Sequence, residues 1–257
     1  MAKDPTLRAV AYLFLFFFAL LLGGFLSPPL SELVHLLFVL LVLGIEFFVF
    51  RTGKAPLFFT RKKDLRALWL FPAFALATLL LTLLSARLTV AAGGTVPAVV
   101  PSTVVFLGGV LLTPVTEELL FRGVVFSLLL PCGRGRAILL SAILFALTHG
   151  SFFQFPYALA AGAFLSVAML WGGSLLFPLA FHLFYNLLSF FSAQIPTAWL
   201  IGALGVLTLF SLPVLIEAVR TREKGKETKT QALSPAATFS LLLYTFFTLA
   251  IAFLRVG

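Results

Sequence analysis

Six residues have the types and spacing to do chemistry: Glu117, Glu118, Arg122, His149, His182 and Asn186. Glu117 and Glu118 are adjacent, and Glu118 and Arg122 are four apart. A helix would set Glu118 and Arg122 on one face as an ion pair. It would turn Glu117 about 100° away, without a cation of its own. His182 and Asn186 are also four apart and share a helix face. Carboxylates, imidazoles and a carboxamide suit general acid–base work. Two histidines and a carboxylate also form a known zinc set. Glu46, Glu32 and His35 are further ionisable residues near or within apolar runs. Cys132, the single cysteine, allows no intrachain disulfide and stands outside the cluster.

The elements that must position these residues are written for lipid. Of the 257 residues, 61% are hydrophobic and 11% charged, too little polar surface for a soluble enzyme. Apolar stretches recur at about 9–26, 33–50, 67–86, 98–130, 137–153, 155–171, 174–193, 198–218 and 236–254. Their lengths suit a hydrocarbon core about 30 Å thick. The fourth is too long for one simple crossing and contains Pro101, Gly108, Gly109 and Pro114. The expected fold is an all-α polytopic membrane protein, a bundle of eight or nine transmembrane helices enclosing a polar cavity. Residues 1–257 read as one transmembrane domain, 100–195 as its motif-bearing core and 219–234 as a cytoplasmic hydrophilic linker.

The net charge of +9 fits basic loops on an anionic inner leaflet, not nucleic-acid binding. With nine alternating helices and a cytoplasmic N-terminus, cytoplasmic segments hold 15 of the 18 Lys and Arg residues. These are Lys3, Arg8, Arg51, Lys54, Arg61, Lys62, Lys63, Arg66, Arg134, Arg136, Arg220, Arg222, Lys224, Lys226 and Lys229. Outer segments hold Arg87 and Arg255, and Arg122 lies inside a span. Counted from the inner ends, Glu117 and His149 come roughly 18–20 Å deep, and His182 and Asn186 roughly 12–18 Å. Three helices thus bring Glu, His, His and Asn to one level, as a buried polar chamber requires.

Together, Glu117-Glu118-x-x-Phe121-Arg122-Gly123, Phe145-x-x-x-His149 and His182-x-x-x-Asn186 resemble the three motifs of the CPBP family. Gly162 and Gly172-Gly173-Ser174-Leu175 are similar to the family's third motif as well. This group of intramembrane endopeptidases includes the type II CAAX prenyl endopeptidases and the bacterial Abi proteins. The resemblance implies proteolysis at or within the membrane of a membrane-associated protein or peptide, with a prenylated substrate as one option. It implies Glu117, His149, His182 and Asn186 as catalytic, with Glu118 and Arg122 supporting them. It also implies a prokaryotic cell membrane as the setting.

Two routes to hydrolysis fit these residues. In one, Glu117 is the general base, His149 helps hold the water, and His182 and Asn186 donate to the oxyanion. This route uses no cofactor. In the other, Glu117, His149 and His182 bind zinc. No His-Glu-x-x-His helix is present, and Asn186 is a better oxyanion donor than zinc ligand, which favours the first. A non-catalytic immunity or binding protein of the same fold and a proton-coupled transporter are the readings from other classes.

Overall fold

A computed structural model describes residues 4–23, 25–46, 64–96, 102–222 and 232–254. All regular structure among them is helical. In chain order the long helices are α1 (Pro5–Gly23), α2 (Pro28–Gly44), α3 (Leu70–Ala91), α4 (Thr103–Cys132), α5 (Arg134–Thr148), α6 (Phe155–Gly172), α7 (Leu176–Phe191), α8 (Thr197–Arg222) and α9 (Pro235–Leu254). Four segments are long and apolar enough to cross a membrane: Leu65–Ala91, Thr103–Cys132, Phe155–Gly172 and Thr197–Glu217. Shorter apolar helices accompany them at Pro5–Leu21, Leu33–Gly44, Leu176–Phe191 and Pro235–Ala250. Residues 47–50 of the expected second span, 98–101 of the fourth and 223–231 of the expected linker lie outside the described residues. So do Lys3, Arg51, Lys54, Arg61, Lys62, Lys63, Lys224, Lys226, Lys229 and Arg255.

Local chemistry sets the boundaries. Pro28 and Pro29 occupy the first turn of α2, where a missing N–H costs nothing, so α2 begins five residues before the expected 33. Ser102 caps α4 by accepting from the Val105 amide at 3.2 Å. The fifth expected span, 137–153, is shorter than read. Its helix stops at Thr148, His149 is the C-cap, and Gly150 turns the chain away at a φ of 56°. Phe155–Pro156 then starts α6, with proline in its first turn.

The overlong fourth span is one helix of 30 residues, about 45 Å at an ordinary rise. It is not regular. Two stretches, Phe106–Leu112 and Leu119–Val125, are wound as π-helix, and the α-helical Thr113–Glu118 lies between them. Side chains serve carbonyls five residues back: Thr113 donates to Gly108 at 3.1 Å and Ser127 to Arg122 at 3.3 Å. π-Turns are uncommon and concentrate at functional sites.

Helix α6 is central and packs against α3, α4, α5 and α7, while α1 packs on α2, α4 and α9. Several contacts gather helix ends on one side of the bundle. Asp4, which caps α1, accepts a hydrogen bond from Ser234, which caps α9. Thr6 on α1 meets Cys132 at the end of α4, 3.6 Å apart. The Asp64 amide, before α3, reaches the Gly172 carbonyl at the end of α6 at 3.4 Å. Glu46, just past α2, is buried and accepts from Tyr12 at 2.9 Å beside Arg8 at 3.2 Å. The starts of α1, α3 and α9 thus share an end with the finishes of α2, α4 and α6.

Candidate functional site

The site grows from the α-helical insert of α4. Glu118 is fully buried there, in a setting where an unpaired carboxylate would cost several kcal/mol. Its Oε1 accepts from Arg122 Nη1 at 3.0 Å, the ion pair that the i, i+4 spacing predicts. The same oxygen lies 2.9 Å from His182 Nδ1 on α7. A carboxylate only accepts, so His182 carries its proton on Nδ1 and donates. That fixes the ring and turns Nε2 toward Glu117, whose Oε2 is 3.7 Å away. Glu117 is half-buried and, unlike the expectation from its helix, has a cationic candidate facing it. The partner comes from α7, 65 residues on, beyond the reach of local spacing.

Arg122 is also fully buried, and it reaches across to α6. Its Nη2 donates to the Gly162 carbonyl on α6 at 3.1 Å. The guanidinium carbon sits 4.5 Å from the centre of the Phe145 ring, a cation–π contact in an apolar setting. Gly162 explains itself on this ground. A Cβ there would come within 2.8 Å of the Ala142 backbone, so only glycine lets α6 close on α5. Gly172 is equally constrained: a Cβ would enter the Phe177 ring at 2.1 Å. Gly173 follows at a φ of 69°, the left-handed cap that turns α6 into α7.

His149 joins the group through Phe145. Its Nδ1 lies 2.9 Å from the Phe145 carbonyl, which can only accept, so Nδ1 holds a proton and a neutral ring keeps Nε2 as a free base. The Phe145 ring is 5.0 Å from the His149 ring and 6.0 Å from the His182 ring, centre to centre. Phe145 therefore spaces the two imidazoles while covering Arg122. Asn186, one turn beyond His182, donates through Nδ2 to the Gly109 carbonyl at 3.1 Å. Gly109 belongs to the first π-stretch of α4.

Glu117, Glu118 and His182 are thus in mutual contact, with Arg122 locked beneath them. Asn186 ties the same two helices together, and His149 stands across Phe145. Sequence reasoning assigned no task to Phe145, to the Gly162 carbonyl or to the Gly109 carbonyl. The glycine–aromatic pattern of the motifs was the available signal. Among the described residues, no three His, Cys, Asp or Glu side chains converge to hold a metal ion. Glu117, His149 and His182 do not form such a group, and the Phe145 ring lies against both imidazoles.

This geometry lies within a segment that known proteins share. Residues 99–188 match the family described as type II CAAX prenyl endopeptidase Rce1-like. No curated protein and no solved structure matches the chain. The Rce1-like segment runs from just before α4 through most of α7 and holds every site residue named above. The resemblance read from the three motifs and the Rce1-like match point to the same family. With its apolar helices, the chain is built as an integral membrane protein similar, over this segment, to a family of peptide-bond hydrolases.

Proposed function

We propose that the chain is an intramembrane endopeptidase in which Glu117 activates water to hydrolyse a peptide bond. The observation that carries this reading is the His182 bridge. One imidazole is anchored by Nδ1–H on Glu118 at 2.9 Å and aims Nε2 at Glu117. With His182 protonated, two carboxylates, one guanidinium and one imidazolium cancel in a buried cluster.

In the proposed cycle a water lies between Glu117 and Nε2 of His149. Glu117 takes its proton as the water oxygen attacks the scissile carbonyl. The developing oxyanion is met by Nε2–H of His182 and by Asn186. The Asn186 amide has two N–H groups and gives one to Gly109, which leaves one for the substrate. Glu117 then returns the proton to the leaving amine as the C–N bond breaks. Glu118 and Arg122 do no chemistry: they hold the orientation of the His182 ring and the spacing of α4, α6 and α7. The cycle needs no metal ion.

The proposed substrate is a membrane-associated protein or peptide, prenylated or not, reached within the bilayer. The shared end of α1, α3 and α9 is proposed as the cytoplasmic side of a prokaryotic cell membrane. Arg8, Arg66, Arg134 and Arg136 near that end support it. Glu117→Gln is the direct test. General-base loss should cut kcat about 10²–10⁴-fold with the fold and substrate binding kept. Unchanged cleavage would remove the proposal. Cleavage that chelation abolishes and zinc restores, with metal content tracking activity, would transfer it to the metal route.

A further inference from the structure

We infer that Tyr244 on α9 is a positioning residue for His149, so that the last helix of the chain completes the site. The inference rests on the proposed function. It adds a residue from far outside the matched segment 99–188.

His149 stands at a weak place. It caps α5, and the chain leaves immediately through Gly150. The last turn of a helix lacks half its hydrogen bonds and frays unless something ties it. Thr148, the preceding residue, supplies the tie. Its hydroxyl donates to the Leu144 carbonyl at 2.8 Å, which uses its only proton. The Tyr244 hydroxyl lies 3.0 Å from the same Thr148 oxygen, so Tyr244 must be the donor there.

Tyr244 is a rigid anchor. It is fully buried, with its ring edge-on to Phe14 at 5.2 Å and to Phe17 at 6.3 Å on α1. Helices α1 and α9 meet again at the Asp4–Ser234 cap. The phenol therefore ends a braced unit and grips the residue next to His149. His149 is gripped on its other side by the Phe145 carbonyl at 2.9 Å. Tyr244 and Phe145 together determine where Nε2 of His149 points.

The test uses the whole 257-residue chain in micelles. The chain has only three histidines, His35, His149 and His182, so ¹⁵N-histidine labelling reads each ring separately. Tyr244→Phe removes one oxygen and keeps the ring. Thr148→Val removes the acceptor at constant shape, and Thr148→Ser restores it. The first two variants should change the His149 signal and leave those of His35 and His182 in place. They should lower kcat about three- to tenfold, the worth of one neutral hydrogen bond, at unchanged KM. Thr148→Ser should match the parent. An unaltered His149 signal, all three signals moving together, or an unaltered kcat would overturn the inference. A parent protein that cleaves no substrate sinks the proposed function instead, and the histidine signals then decide the positioning of His149 alone.

Discussion

Replacing Arg122 with methionine should destabilise the bundle far more than the loss of one hydrogen bond. Methionine keeps the length and apolar packing of the stem but removes the guanidinium. Glu118 stays behind, fully buried, its Oε1 left with His182 as the one remaining donor. Removing one partner of a buried pair costs about 3–5 kcal/mol. The Gly162 carbonyl adds little, because Ser166 still donates to it at 2.8 Å. The lost contact with the Phe145 ring, 4.5 Å away, adds about 1–2 kcal/mol. Against a typical net stability of about 5–15 kcal/mol, this is a severe loss. Adding Glu118→Gln should return more than half of it, since the amide oxygen still accepts from His182 and no unpaired charge stays buried. Reversible detergent unfolding of both variants, followed by tryptophan fluorescence, measures the difference. The reasoning fails if Arg122→Met unfolds within about 1 kcal/mol of the parent, or if the second substitution makes matters worse.

Other substitutions probe other joints. Gly162→Ala pushes a Cβ against the Ala142 backbone at 2.8 Å and moves the carbonyl that holds Arg122. It should cost about 1–3 kcal/mol in the same unfolding assay and lower cleavage together with stability. Asn186→Leu should cut kcat about 10²–10³-fold at little changed KM in steady-state kinetics, as loss of an oxyanion donor does. Asp4 probes the end of the bundle outside the membrane. The Ser234 hydroxyl, helped by the Leu7 and Thr6 amides, holds its carboxyl below the ordinary value of 3.8. A lowered folded-state pKa means stability present above 3.8 and lost as pH falls through the folded value. Asp4→Asn should therefore flatten the acid limb of a thermal-stability profile below about pH 4 and leave neutral cleavage unchanged.

Much of this was legible before any coordinates. Local spacing sufficed for the Glu118–Arg122 pair, because i and i+4 on a helix can hardly avoid each other. Apolar run lengths located nine helices among the described residues, with most ends within a few positions. What the spacing could not carry was contact between helices. Glu117 looked unpartnered because its neighbour, His182, arrives on α7. Spacing puts His182 and Asn186 on one face of α7, but the partners they meet there, two carboxylates and the Gly109 carbonyl, come from α4. The end of α5 was misplaced because the apolar composition continues through Phe152 and Phe153, whereas the backbone obeys Gly150. Apolarity marks what can lie in lipid, not what is helical.

The π-stretches of α4 show why counting residues along a helix does not reach the side-chain partners. Depth along a helix depends on rise per residue, which a few wide turns alter by only a few Å. Facing depends on the turn angle, which each wide turn shifts for everything beyond it. A regular helix could set Glu118 and Arg122 on one face, but the face of Gly109 relative to Glu118 would then be fixed by 3.6-residue geometry. Gly109 lies inside the π-stretch Phe106–Leu112, so the last turn of that stretch separates it from Glu118 and shifts this face. Asn186 and His182, one turn apart on regular α7, can then reach Gly109 and Glu118 on the same side of α4. The irregularity first visible only as an overlong apolar run therefore belongs to the site. A substitution that restored regular winding across Gly108 and Gly109 should break the Asn186 contact while leaving Glu118 and Arg122 paired.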